Sequence, residues 1–316
     1  MTAAGTRSTI HPPSGVDPGP ARPRPVLLVV ALAIVYVAWG STYLAVKVMV
    51  DEMPPLLGSG TRALAAGALV AAGVMIIRGP GRLRVTRRQL AGCAVIGLLL
   101  PVGGQGLVTV AEHRGAPSGL TALLVAAVPL WVACLRALTG DRPPARSVAG
   151  VLLGFVGAAA LIVGPGGPGT PTSALLIVLV AGMSWALGTW LQPRLGLPAD
   201  PFTVVVYEML VGGVVLTVMG AVQGEHFAPS AYTARAWSAW AFLVVVGSIL
   251  ALTAYNWLLR TTNVSVVATY AYVNPAIAVF LGWLVLREPI TSTTILGATV
   301  IVAGVVLVVA AESRRH

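Results

Sequence analysis

Ten runs of roughly twenty apolar residues, at about 26–48, 55–77, 89–110, 117–139, 146–164, 172–193, 201–222, 237–259, 264–286 and 292–311, dominate this chain. A run of that length matches the hydrocarbon thickness of a bilayer when it is helical. Inside hydrocarbon every backbone polar group must be satisfied by the protein itself, which restricts a spanning chain to helices or a closed barrel. Runs this long select the helix. Only 9% of the residues are charged, against about 25% in ordinary soluble domains, so a single water-soluble core is excluded. Pro54-Pro55, the Gly79–Arg82 turn, Arg142-Pro143-Pro144 and the Gly/Pro stretch 164–171 punctuate the runs.

The chain also repeats itself. Arg62 and Glu208, Trp39 and Trp185, Arg114 and Arg260, Pro129 and Pro275, and Pro143 and Pro289 are each 146 positions apart. A repeat of this kind in an apolar chain marks a duplicated membrane unit. Each copy holds five spans, an odd number, so the second copy must run opposite to the first. The predicted organisation is an all-α polytopic membrane protein: a disordered tail over 1–25, a first five-helix repeat over 26–164, a linker over 165–171, a second repeat over 172–311 and a short C-terminal segment over 312–316. The tail is expected to lack structure because it is rich in Pro, Gly and Arg and poor in large apolar residues.

The net charge of +10 does not signal nucleic acid, because the basic residues are not interleaved with aromatics in a groove-like pattern. They sit between the apolar runs, where they report topology. Arg78, Arg82, Arg84, Arg87, Arg88, Arg136, Arg142, Arg146 and Arg194 fall on the tail's side of the membrane, while only Lys47, Arg114, Arg235 and Arg287 fall on the other. The positive-inside rule therefore predicts that both termini are cytoplasmic. Trp237, Trp240 and Trp283 fall near the opposite helix ends, as an aromatic belt requires. Cys93 and Cys134 lie in apolar runs and read as buried thiols, not as a disulfide or a zinc site.

Charge inside the lipid costs at least about 2.5–3.5 kcal/mol per group, so Arg62 and Glu208 each require a partner or a wet cavity. They lie in the second and seventh runs, at depths differing by roughly 7–8 Å, which leaves direct pairing open. Glu208 is a candidate for substrate binding or proton coupling. Pro101, Pro129 and Pro275 each remove a backbone hydrogen bond within a run, which places their helices toward the protein interior and makes them candidate hinges. Polar and aromatic residues recur at helical spacing: Tyr36, Gly40, Tyr43 and Lys47; Pro101, Gln105, Thr109 and Glu112; Trp185, Thr189 and Gln192. Asn256 and Thr253, and Tyr270 and Asn274, continue the pattern. Trp39, Tyr43, Arg62, Gln105, Trp185, Glu208, Asn256, Tyr270 and Asn274 are thus the predicted cavity set. Such a lining suits small zwitterionic or amphipathic solutes. Glu112 and His113, at the outer end of the third run, could form a proton relay, since His titrates near neutral pH, but read more simply as a solvated helix end. Gly150, Gly154, Gly297 and Gly304 read as close helix contacts.

Trp39-Gly40-Ser41-Thr42-Tyr43 followed by Lys47, then Pro54-Pro55 and Thr61-Arg62, resembles the opening of an EamA-type drug/metabolite transporter. Val110-Ala111-Glu112-His113 with Pro117-Ser118-Gly119, and Ser265 to Pro275 leading through Arg287-Glu288, extend the likeness over residues 26–311. The chain departs from it at Gly140-Asp141-Arg142, where the family has a Gly-Glu pair. The resemblance implies secondary transport, usually export, across the cytoplasmic membrane of a bacterium, with a small-molecule substrate and protons as the driving ion. No cofactor or metal is implied: His11, His113, His226 and His316 lie away from the buried ionisable residues, and no phosphate-binding loop is present. A passive channel and an intramembrane enzyme are the alternatives.

Overall fold

The computed structural model describes residues 25–140, 143–163, 170–262, 264–267 and 269–313. Residues 1–24 of the expected tail, most of the Gly/Pro linker, Asp141, Arg142, Asn263, Ala268 and the last three residues lie outside them. Ten apolar helices are present among the described residues: α1 (Pro25–Val50), α2 (Pro55–Arg78), α3 (Arg87–His113), α4 (Ser118–Leu138), α5 (Ala145–Val163), α6 (Thr172–Arg194), α7 (Pro201–Val222), α8 (Ala234–Leu259), α9 (Tyr270–Leu286) and α10 (Ser292–Ser313). All but α9 are long and apolar enough to cross a membrane along their whole length. The ninth run is divided instead, with a short helical turn at Val264–Val267 preceding α9.

Equivalent helices of the two halves lie against each other and antiparallel. In α5 and α10, Gly150 faces Gly304, Gly157 faces Ile301, and Leu161 faces Gly297, so one number rises as the other falls. A Cβ on Gly150 would sit 2.6 Å from the Gly304 carbonyl oxygen, which is why these helices need glycine where they touch. In α2 and α7 the ends show the same inversion. Arg78 at the end of α2 pairs at 3.1 Å with Asp200, the N-cap of α7. Glu225, just past the end of α7, accepts from the first N–H groups of α2, Leu56 at 3.1 Å and Leu57 at 2.7 Å. The inverted duplication read from the residue offsets is therefore visible in the packing.

Two helices depart from α geometry at equivalent places. Leu98–Gly106 in α3 and Leu243–Leu250 in α8 are π-helical. Pro101 accompanies the first, but α8 widens without any proline, so the wide turn belongs to the repeated unit. Each π segment presents a carbonyl to the other half: Ser184 donates to Leu99 O at 2.8 Å, and Trp39 Nε1 donates to Gly247 O at 3.3 Å. Pro129 is not within a continuous helix, as the sequence suggested. The chain turns at Ala126 and Ala127, and Pro129 sits in the first turn of the Val128–Leu138 segment, where no N–H is needed. Pro275 does lie inside α9 and is buried.

Candidate functional site

A cavity of about 80 Å³ lies between the halves. Trp39, Thr42, Tyr43 and Val46 of α1, Arg62 of α2, and Gly104, Gln105 and Val108 of α3 line it from the first half, with Val125 of α4. Ala181 and Trp185 of α6, Gly247 of α8, and Tyr270 and Asn274 of α9 line it from the second. Seven of the predicted residues thus meet here: Trp39, Tyr43, Arg62, Gln105, Trp185, Tyr270 and Asn274. Glu208 and Asn256 do not line it, and neither do Pro101, Pro129 or Pro275.

Trp39 organises one wall. Its ring meets Trp185 edge-on at 5.7 Å, Tyr270 edge-on at 5.3 Å and Tyr255 at a tilt at 4.9 Å. Edge-to-face packing of this sort adds directional preference to simple apolar burial. Trp185 can reach this position because Gly104 carries no side chain: a Cβ there would lie 2.6 Å from Trp185 Cε3. Tyr270 and Asn274 are held by α1. With its amide nitrogen facing carbonyls, Asn274 donates to Tyr36 O at 3.1 Å and Tyr270 O at 3.2 Å.

Arg62 is 4% exposed, and its guanidinium donates to Gln105 Oε1 while its Nε has no partner. Below that pair, Ser59 donates to Thr109 at 2.9 Å, and Thr109 to Gln105 O at 2.9 Å, joining α2 to α3. Thr109, on the polar stripe of the third run, therefore ties two helices and is fully buried. Glu208 is 1% exposed on α7 and makes no ion pair with Arg62; the single ion pair among the described residues is Arg78–Asp200. The Glu208 Oε1 is without a partner. Asn256 is buried nearby in sequence, with Gln192 Nε2 3.5 Å from its Oδ1 and its own Nδ2 unpartnered.

Carboxylates that periodicity did not single out fasten one end of the molecule, the end where α1 finishes. Glu52 accepts from the Thr233 N–H at 2.7 Å and hydroxyl at 2.6 Å, at the start of α8. These two bonds, the hydroxyl's first, hold the Glu52 carboxyl below its ordinary range, with Arg235 adding to the effect. Glu225 caps α2. Glu288 caps α4, accepting from Ser118 N at 2.8 Å, Gly119 N at 3.1 Å and Ser118 Oγ at 3.0 Å. Arg287 makes that reach possible by adopting a left-handed conformation (φ 55°) at the end of α9. Every one of these contacts joins one half to the other. Each places a negative charge at a helix N-terminus, where the orphan N–H groups and the helix dipole favour it. The sequence signal was an acidic residue in each of three turns at the same end.

Glu112 corrects an expectation. It is 0% exposed instead of solvated, and neither carboxylate oxygen has a hydrogen-bond partner, whereas His113 beside it is exposed. Lys47 Nζ donates to the backbone oxygen of Glu112 at 2.8 Å, and His113 Nδ1 lies 3.2 Å from Val50 O, so the end of α1 covers this turn.

The family model described as the EamA-like transporter family matches residues 26–163 and again 172–310. An uncharacterized inner membrane transporter of Escherichia coli (strain K12), YedA, is 38% identical over 88% of this chain and 89% of its own. The uncharacterized transporter YoaV of Bacillus subtilis (strain 168) is 28% identical over 92% and 99%. A probable amino-acid metabolite efflux pump of Salmonella typhimurium (strain LT2) is 26% identical over 86% and 91%. A solved crystal structure shares the fold with a TM-score of 0.62 at 18% identity, over 90% of this chain and 96% of that one. With its inverted halves and the cavity between them, the chain belongs to the EamA-like transporter family, and it is a membrane transporter.

Proposed function

We propose that this transporter is a secondary carrier that exports a small metabolite across the bacterial cytoplasmic membrane by alternating access, with both termini in the cytoplasm. The observation that carries this reading is the cavity built jointly by two antiparallel copies of one unit. Because the copies are inverted, exchanging their conformations closes one side of a midplane cavity and opens the other. The two ends are fastened by different, separable contacts: Glu52, Glu225 and Glu288 at one, Arg78–Asp200 at the other. The repeats over 26–164 and 172–311 act as the two working bodies. The π segments and Pro101, Pro129 and Pro275 act as the places where helices bend. An amphipathic or amino-acid-like solute fits the aromatic, sparsely charged lining, and the name of the Salmonella typhimurium relative is consistent with it.

Glu208 is the residue proposed to carry a proton. It is buried and unpaired, so carrying charge there costs several kcal/mol, and protonation removes that cost. Phenylalanine counterflow into proteoliposomes tests the carrier reading. Saturable exchange, faster with solute on both sides than on one, is expected; linear, non-saturating flux would indicate a channel. Glu208→Gln is expected to abolish the dependence of flux on the pH gradient while exchange continues. An unaltered dependence would remove Glu208 from the coupling role.

A further inference from the structure

We infer that the cavity is built for an organic monoanion, a carboxylate joined to an apolar or aromatic body, with Arg62 as its anion-binding group and Gln105 as the residue that positions the guanidinium. This names the substrate class of the carrier proposed above and rests on that reading. Arg62 faces the cavity, is 96% buried by the complement of its 4% exposure, and keeps an unpartnered Nε–H. A buried guanidinium normally meets an acid that neutralises it. Here its partner is the neutral Gln105, which fixes the plane of the fork without removing its charge. No Asp or Glu lines the cavity, and neither Glu208 nor Glu112 pairs with Arg62. The site is therefore one positive charge in excess, with a fork geometry that suits a carboxylate in bidentate contact.

The rest of the lining carries no acidic side chain to neutralise a cation. Trp39, Tyr43, Trp185 and Tyr270 offer apolar and aromatic surface, and the amide of Asn274 is engaged by backbone carbonyls. A carboxylate with an aromatic body finds both its counter-charge and its packing surface. An α-ammonium group adds a charge of the same sign as Arg62, so a desamino acid should bind better than the corresponding amino acid.

The test uses the full chain purified in detergent, with 3-phenylpropanoate, its uncharged amide, phenylalanine and 2-phenylethylamine titrated calorimetrically at neutral pH. The acid is expected to bind at least about tenfold more tightly than the amide, phenylalanine to fall between them, and the amine not to bind. Arg62→Gln should bring acid and amide together, leaving the amide within about threefold of its original affinity. Because Arg62→Gln could unfold the chain, Gln105→Glu provides a second arm. It places a carboxylate on the arginine, keeps the pair satisfied, and should likewise erase the preference for the acid. Equal binding of acid and amide by the unaltered protein, or a preference that survives Gln105→Glu, overturns the inference. Counterflow separates the two proposals. Saturable exchange of phenylalanine by a protein with no acid preference overturns the inference and leaves the carrier standing. Arg62-dependent acid binding with no exchange of any of the four solutes supports the inference and removes the carrier.

Discussion

Arg62 and Glu112 are both buried ionisable residues, yet the protein treats them differently. Arg62 leans on Gln105, so Gln105→Leu should strand a buried guanidinium and lower unfolding stability in detergent by about 1–3 kcal/mol. Glu112 has no bond to lose at its carboxylate, so Glu112→Gln should leave the melting temperature unchanged or raise it. A drop of more than a few degrees would show that the carboxylate is held in place by a partner of its own. The sequence pointed to Arg62 because charge in an apolar run is costly wherever it sits. It could not place Glu112, because burial there comes from Lys47 and the end of α1 folding over it. Helical periodicity reports which residues share a face, and says nothing of what another helix lays across that face. The same limit explains Asn256, which shares a polar face with Thr253 yet is buried without lining the cavity.

Among the helices, α5 and α10 meet through facing glycines that leave no room for a side chain. Gly150→Leu should push the Gly304 backbone away and abolish folded, monodisperse protein, as size-exclusion profiles would show. Correct profiles for Gly150→Leu would mean that the helices separate more easily than their packing implies. The tie from Glu52 to the start of α8 makes a pH statement. Its carboxyl is held below the ordinary value in the folded protein, so its contribution is complete above the ordinary glutamate range near about 4.3 and disappears as pH falls through the lowered value. The melting-temperature difference between the unaltered protein and Glu52→Gln should accordingly be present at neutral pH and vanish in strong acid; a difference that grows on acidification would reverse the sign. The glycines at the α5–α10 contact were legible because small residues at regular spacing have few other uses in lipid. The turn before Pro129 and the π segment of α8 were not, since neither carries a residue that demands it.

For the whole molecule, the duplication was the most legible property: residues 146 apart gave two copies, and an odd number of spans per copy required inversion, which the antiparallel α2–α7 and α5–α10 pairs display. The carboxylate ties between copies were hidden, because turns carry no period from which a partner could be read. Those ties supply the most direct test. In a background with Cys93 and Cys134 replaced by serine, Glu52→Cys and Thr233→Cys would be joined by a short thiol cross-linker, and solute counterflow measured before and after cleavage of the link. If carriage requires this end to open and close in each cycle, joining the pair should stop exchange and cleavage should restore it. Exchange that continues at an undiminished rate through the joined protein would contradict alternating access between the two halves.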